Sequence, residues 1–206
     1  YITTYVERDL RQLKNINNLA LFVKLLRLCA GRTGQILNLT SLSNDCGIDQ
    51  KTVASWLSIL QSSYIIYLLK PYYNNFNKRI IKAPKLYFYD TGVACSLLGI
   101  NSAKQITSHA AKGSLFENMV VSELLKKRFN MGLTDNLYYW RDKTGNEVDV
   151  LVDNAGKLTA IELKAGETLS SDFFKGLHYF SSLIDGNVQQ WLIYGGTQEQ
   201  KRSNGI

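Results

Sequence analysis

The sequence predicts a mixed α/β protein (α+β in its arrangement), with helices first and then a mixed sheet flanked by helices. Apolar residues recur at helical spacing between Leu19 and Leu60, and alternation of apolar and polar residues marks residues 147–164. The charge is also divided unevenly between the two halves of the 206-residue chain. Together these observations favour two modules of different architecture.

Three helices are predicted at the start of the first module. The first runs from Leu19 to Cys29, and a short one covers Thr40–Cys46. Asp49 is a good N-cap for the third helix, in which apolar residues repeat at i, i+3, i+4 and i+7: Val53, Trp56, Leu57 and Leu60. Two helices joined by a turn containing glycine are the helix-turn-helix signature.

Two strands, Tyr64–Leu69 and Lys85–Tyr89, complete a winged-helix domain over residues 17–100. The loop between them is aromatic and basic, as expected of a wing that contacts phosphates. The residues expected to contact nucleic acid are Lys51, Lys78, Arg79 and Lys82. The outer face of the third helix carries only one positive charge, so docking onto another protein domain is an open alternative.

The second module is expected over residues 113–206, after a polar linker at 101–112. Its predicted elements are a helix at Leu115–Arg128, a strand at 138–141, a hairpin, a helix at Leu169–Leu183 and a buried strand at Val188–Tyr194. In the helix predicted at Leu169–Leu183, Phe173 is expected to face inward.

The hairpin carries the candidate chemistry. Strict alternation places Val148, Val150 and Val152 on one face and the acids of the first strand on the other. A loop of four or five residues at Asn154–Lys157 would put Asp149 opposite Ile161 or Glu162, with Lys164 on the same face as Glu162. The alternative is a solvated strand face, where such charges are common.

Asp149, Glu162-x-Lys164 and an acid on the preceding helix, Glu117, resemble the core of the PD-(D/E)XK, or restriction-endonuclease-like, superfamily. Val148 stands where that motif has Pro. The resemblance implies that Asp149, Glu162 and Glu117 hold Mg²⁺ or Mn²⁺ and that Lys164 acts in catalysis. Magnesium takes oxygen ligands and polarises phosphates, and a lysine can stabilise the developing charge. Ser114-x-x-Glu117 also fits a capping box, which gives Glu117 a structural alternative.

A second resemblance covers nearly the whole chain. The block Pro84–Gly92, together with 113–118, 139–142 and 194–196, is similar to the C-terminal region of a prokaryotic AAA-type ATPase family. This implies a cytoplasmic protein whose upstream domain binds ATP, with residues 1–16 as a linker from it. No G-x-x-x-x-G-K-[ST] motif occurs here, so this chain is not expected to hydrolyse ATP. Two functions stay open: a metal-dependent deoxyribonuclease acting on DNA, or a non-catalytic regulatory module coupled to that ATPase.

Composition argues against several other classes of protein, those with disulfides, with a histidine-based metal centre or with a membrane span. The three cysteines, Cys29, Cys46 and Cys95, are odd in number and lie in apolar helical patterns, so buried free thiols are expected. Two histidines are too few for a histidine-based metal centre. No apolar run reaches the roughly 18 residues that a membrane span requires.

Residues 1–112 carry 14 Lys and Arg against 5 Asp and Glu, a net charge of +9. Residues 113–206 carry 10 against 12, a net charge of −2. A basic half favours a polyanion partner, although a solvated basic surface would have the same composition.

We therefore expect affinity for DNA to fall steeply with salt, because contacts to phosphates release counterions. Lys78→Ala combined with Arg79→Ala should weaken binding to all sequences alike. Fluorescence anisotropy on unrelated duplexes across a salt series measures both effects. Failure of the chain to bind any polyanion at low salt would favour the protein-docking alternative.

Overall fold

The computed structural model describes residues 18–73 and 81–200. The helices of this part are α1 Leu19–Ala30, α2 Leu39–Cys46, α3 Gln50–Ser62, α4 Thr91–Leu97, α5 Ala103–Ser108, α6 Lys112–Asn130 and α7 Lys175–Ser181, with a 3-10 turn at Ser171–Phe174. The strands are β1 Ile66–Pro71, β2 Lys85–Phe88, β3 Leu137–Arg141, β4 Glu147–Asn154, β5 Lys157–Lys164 and β6 Gln189–Tyr194.

The six strands form one sheet in the order β2-β1-β3-β4-β5-β6. The pairs β1–β3 and β5–β6 are parallel, whereas β3–β4 and β4–β5 are antiparallel. A mixed sheet preceded by a helical region confirms the predicted fold class.

The described residues divide into two compact units, and the first contains 18–68 and 86–118. As predicted, Asp49 caps α3 by accepting a hydrogen bond from the Thr52 backbone N–H. Three helices followed by the strands β1 and β2 give the expected winged-helix order. Its core consists mainly of Phe22, Leu25, Leu26, Leu42, Val53, Trp56, Leu57, Leu60, Ile66, Leu86 and Phe88. The cysteines are free, and Cys29 and Cys46 are buried in this core.

The second unit contains 69–73, 81–85 and 119–200. Its core joins strand residues to the 3-10 turn and α7: Trp140, Val148, Leu151, Leu158, Ala160, Phe174, Leu177, Phe180 and Val188. The single helix predicted for 169–183 is wrong, because its first part is a 3-10 turn. The buried residues of this segment are Phe174, Leu177 and Phe180, which are three residues apart, and Phe173 is only partly buried.

Two other predicted segments differ from the structure. The segment 101–112 is not an irregular linker, since it contains α5. A capping box of Ser102 and Gln105 caps the N-terminus of this helix. The strand predicted as buried, β6, lies at the edge of the sheet, and Trp191 on it is 53% exposed. An apolar run at a sheet edge has the same composition as one at its centre, so sequence alone did not separate the two.

Asn118 organises the polar interior of the first unit. Its side chain is fully buried, accepts hydrogen bonds from the Phe88 N–H (2.7 Å) and the Thr33 hydroxyl (2.8 Å), and donates to the Phe88 carbonyl (3.1 Å). It also donates to the Thr91 hydroxyl at 2.9 Å. One amide thus satisfies both backbone groups at the end of β2 and fixes the start of α4.

Replacing Asn118 with Ala should lower the free energy of unfolding by about 2–4 kcal/mol, because two buried backbone groups lose their partners. Urea denaturation measures the change. Asn130→Ala, at the exposed end of the same helix, is the control and should change stability by less than about 0.5 kcal/mol. Equal effects of the two substitutions would show that the Asn118 hydrogen bonds contribute little.

Candidate functional site

The hairpin β4–β5 closes more tightly than the predicted loop of four or five residues. Asn154 pairs with Lys157, which leaves the two-residue turn Ala155-Gly156. Both turn residues have positive φ, 53° and 87°, the combination that a type I′ hairpin turn requires. The pairing continues to Val150–Ile161, so Asp149 and Glu162 are the next residues beyond it on each strand.

A β-bulge lies at Asp149 on the other side of β4. Tyr138 pairs with Leu151 and Trp140 pairs with Val148, so the single residue Tyr139 faces two residues of β4. The extra residue shifts the alternation, and Val148 shares a face with Leu151 in the second unit's core. The prediction that Val148, Val150 and Val152 share one face is therefore wrong. A bulge changes the direction of nearby side chains, and this bulge includes Asp149, the acid of the predicted motif.

The Asp149 carboxylate reaches towards β5. Its Oδ2 accepts a hydrogen bond from the Leu163 N–H at 2.8 Å. Beyond the last paired residues of the two strands, a side-chain oxygen, instead of a backbone carbonyl, accepts the hydrogen bond from this backbone N–H. The Asp149 side chain is thereby bonded to the residue between Glu162 and Lys164.

Glu162 and Lys164 form an ion pair along β5. The Lys164 ammonium lies 2.5 Å from Glu162 Oε1, and it also lies 5.6 Å from the centre of the Phe173 ring. The Glu162 side chain is only 12% exposed, whereas that of Lys164 is 34% exposed. Burial raises the pKa of Glu162, and the hydrogen bond and charge of Lys164 oppose that rise. A cation beside Glu162 therefore relieves the cost of its burial.

Gly195 fixes the end of β5 from which Lys164 projects. Its N–H donates to the carbonyls of Lys164 and Gly166, both at 3.0 Å. A Cβ on Gly195 would lie 2.7 Å from the Ala165 carbonyl oxygen, closer than real Cβ atoms come. Glycine is needed here because the backbone after β6 packs directly on the backbone after β5.

A third acid and two more cations adjoin these residues. The Lys85 ammonium lies 2.5 Å from Glu147 Oε1 and 3.8 Å from Asp149 Oδ1. Arg141 contacts the other oxygen of Glu147 at 3.3 Å. Glu147 raises the pKa of Glu162 and Lys85 lowers it, so both groups act on the same electrostatic site.

Glu117 lies in the first unit, whereas Asp149, Glu162 and Lys164 lie in the second. Its carboxylate accepts a hydrogen bond from the Tyr87 hydroxyl. The capping-box alternative is wrong, because α6 begins at Lys112 and Ser114 already lies inside the helix. A role for Glu117 in holding a metal stays a prediction of the resemblance.

The predicted nucleic-acid contacts are described in part. Lys51 is exposed on α3, and Lys82 is exposed in the segment before β2. Lys78 and Arg79 lie outside the described residues. Two of the four side chains expected to contact nucleic acid are therefore exposed to solvent.

The donor set fits a magnesium or manganese ion. Such ions take one or two carboxylates and keep several waters, and Asp149 and Glu162 are two half-buried carboxylates on adjacent strands. Within residues 18–73 and 81–200, no three His, Cys, Asp or Glu side chains are grouped closely enough to form a metal site by themselves. A two-carboxylate site completed by water does not require a third.

Sequence reasoning missed Lys85 as a site residue. It begins β2, far along the chain from the hairpin, and its position beside Asp149 depends on tertiary structure. One signal was present, since a lysine followed directly by Leu86-Tyr87-Phe88 stands in an apolar strand. Lysine is seldom fully buried without a partner, so such a position indicates a buried ion pair.

Comparison with known proteins gives families without an assigned function. Residues 112–206 match a family described as "Domain of unknown function (DUF4143)". Uncharacterised proteins of Mycobacterium bovis and Mycobacterium tuberculosis are each 30% identical over 170 residues, which cover 82% of this chain and 38% of the relative. The chain thus spans about two fifths of the length of these relatives.

None of the helices in the described part of the chain combines the length and apolar character needed to cross a membrane. Residues 1–104, half of the chain, match a second family model. On that match, the chain belongs to the family described as "Domain of unknown function (DUF8612)".

Proposed function

We propose that the second unit is a metal-dependent phosphodiesterase that acts on DNA, with Asp149, Glu162 and Lys164 as its reacting groups. The observation that carries the proposal is the hydrogen bond from the Leu163 N–H to Asp149, which joins the two halves of the motif. Where β4 and β5 separate, Asp149 thus accepts a hydrogen bond from the backbone of Leu163, and Glu162 pairs with Lys164.

In this proposal, Asp149 and Glu162 hold the cation, and the Leu163 N–H orients Asp149. A bound magnesium ion supplies positive charge to the phosphate and makes a water more acidic. Lys164 donates hydrogen bonds to the phosphate oxygen that gains charge in the transition state. Its 34% exposed side chain gives this ammonium access to a ligand from solvent.

The first unit would place the DNA. Three helices and two strands in winged-helix order, with Lys51 exposed on α3, support this role. We further infer from the family resemblance that an ATPase domain works with this chain in the cytoplasm. ATP would then be bound by that domain and not by these residues.

A non-catalytic regulatory module is the second candidate. The observation that favours it is the neutralisation of the acids by the protein itself: Lys164 pairs with Glu162, and Lys85 pairs with Glu147 and Asp149. Acids that are already paired do not need a metal for stability. In that case the chain would serve the ATPase through protein contacts alone.

We expect the chain to nick or cleave DNA weakly in Mn²⁺ or Mg²⁺. Asp149→Asn and Glu162→Gln should each abolish this activity, since each removes one of two protein charges that hold the ion. Gel analysis of a supercoiled plasmid measures it, with Asp185→Asn, an exposed acid of the same unit, as the control. Inactivity with every metal and strand type would favour the regulatory module. Activity that survives both substitutions would point to another site.

Lys164→Met should still bind Mn²⁺, at least as tightly as wild type, because a positive charge beside Glu162 is removed. It should reduce the cleavage rate by roughly 10²–10³, the usual loss for one donor to the transition state. Lys157→Met, at the exposed opposite end of the same strand, is the matched control. Equal rates for the two variants would exclude a catalytic role for Lys164.

A further inference from the structure

Lys85 is the feature that the proposed reaction does not use. Its side chain is 4% exposed, and its ammonium contacts Glu147 and Asp149. The ammonium also lies 5.6 Å from the centre of the Tyr139 ring, whose hydroxyl donates to the Ala83 carbonyl two residues before Lys85. The aromatic ring and the two acids therefore hold the ammonium in one place, away from water.

The acids Glu147, Asp149 and Glu162 are each paired with a side-chain cation. Glu147 contacts Lys85 and Arg141, Asp149 contacts Lys85, and Glu162 contacts Lys164. Of these cations, Lys85 is the most buried and contacts the proposed metal ligand Asp149. Its charge is consequently the least screened by solvent.

We propose that Lys85 competes with the divalent cation: its ammonium occupies the negative field of Asp149, and a metal ion binds there by displacing it. This inference rests on the proposed function, because it assumes that Asp149 and Glu162 hold the metal. A divalent ion next to Asp149 would lie a few ångströms from a buried positive charge. Repulsion at that distance is strong where the effective dielectric constant is low.

A structural role for Lys85 makes a different prediction. If the ammonium only stabilises the fold by pairing with Glu147, its removal should leave metal affinity unchanged or lower it. If it competes with metal, removal of its charge should raise the affinity. The sign of the change in metal affinity therefore separates the two roles.

Titration calorimetry with Mn²⁺ on the whole chain tests the competition. Lys85→Met should bind Mn²⁺ at least roughly tenfold more tightly than wild type, because one buried positive charge is gone. Lys85→Arg, which keeps the charge, and Lys82→Met, an exposed lysine three residues away, should stay within about twofold of wild type. Lys85→Gln, which keeps a donor for Glu147, replaces Lys85→Met if circular dichroism shows the latter to be unfolded.

A second measurement uses the wild-type protein. Acetylation of Lys85 by acetic anhydride, followed by mass spectrometry, should be slow without metal and several-fold faster in saturating Mn²⁺, with Lys82 unchanged. Equal Mn²⁺ affinities for wild type and Lys85→Met, or Lys85 acetylation that does not respond to bound Mn²⁺, would overturn the competition and leave the proposed function standing. Absence of Mn²⁺ binding in wild type and variants alike would contradict the proposed function and this inference together.

Discussion

The second unit contains largely buried acidic side chains, and their negative charges must be balanced by nearby cations. At one end of the β4–β5 pair, Glu147, Asp149 and Glu162 each contact a side-chain cation. Unpaired, such acids would repel one another and resist ionisation. Lys85, Lys164 and Arg141 offset this repulsion within the fold itself. In the proposed function, a bound metal ion would have to change these pairings.

The backbone supplies the geometry of that cluster. The turn Ala155-Gly156 sets the register of the hairpin, and the bulge at Asp149 breaks the alternation at the residue where the strands separate. Gly195 then fixes the end of β5 by letting two backbone segments touch. None of these features adds much apolar burial. Asp149 lies at the bulge, and Glu162 and Lys164 lie at the end of β5 that Gly195 contacts.

Local patterns predicted most of the helices and strands. The spacing of Val53, Trp56, Leu57 and Leu60 identified α3. Asp149 and Glu162-x-Lys164 were singled out by spacing and residue type, and their role in a site stays a prediction. Features that depend on distant parts of the chain were missed. The bulge needs the pairing with β3, the edge position of β6 needs the sheet order, and Lys85 reaches Asp149 only through the folded chain. The capping box at Ser114 failed because the helix starts at Lys112, three residues earlier than its apolar pattern indicates.

The proposed function requires that Asp149 and Glu162 together hold a divalent cation. Anomalous scattering from a crystal of the chain grown with Mn²⁺ locates the bound ion. We expect an anomalous peak bonded to carboxylate oxygens of both residues, and no such peak in Asp149→Asn. A Mn²⁺ peak bonded elsewhere in the chain, or none at a concentration that saturates related two-carboxylate sites, would contradict it.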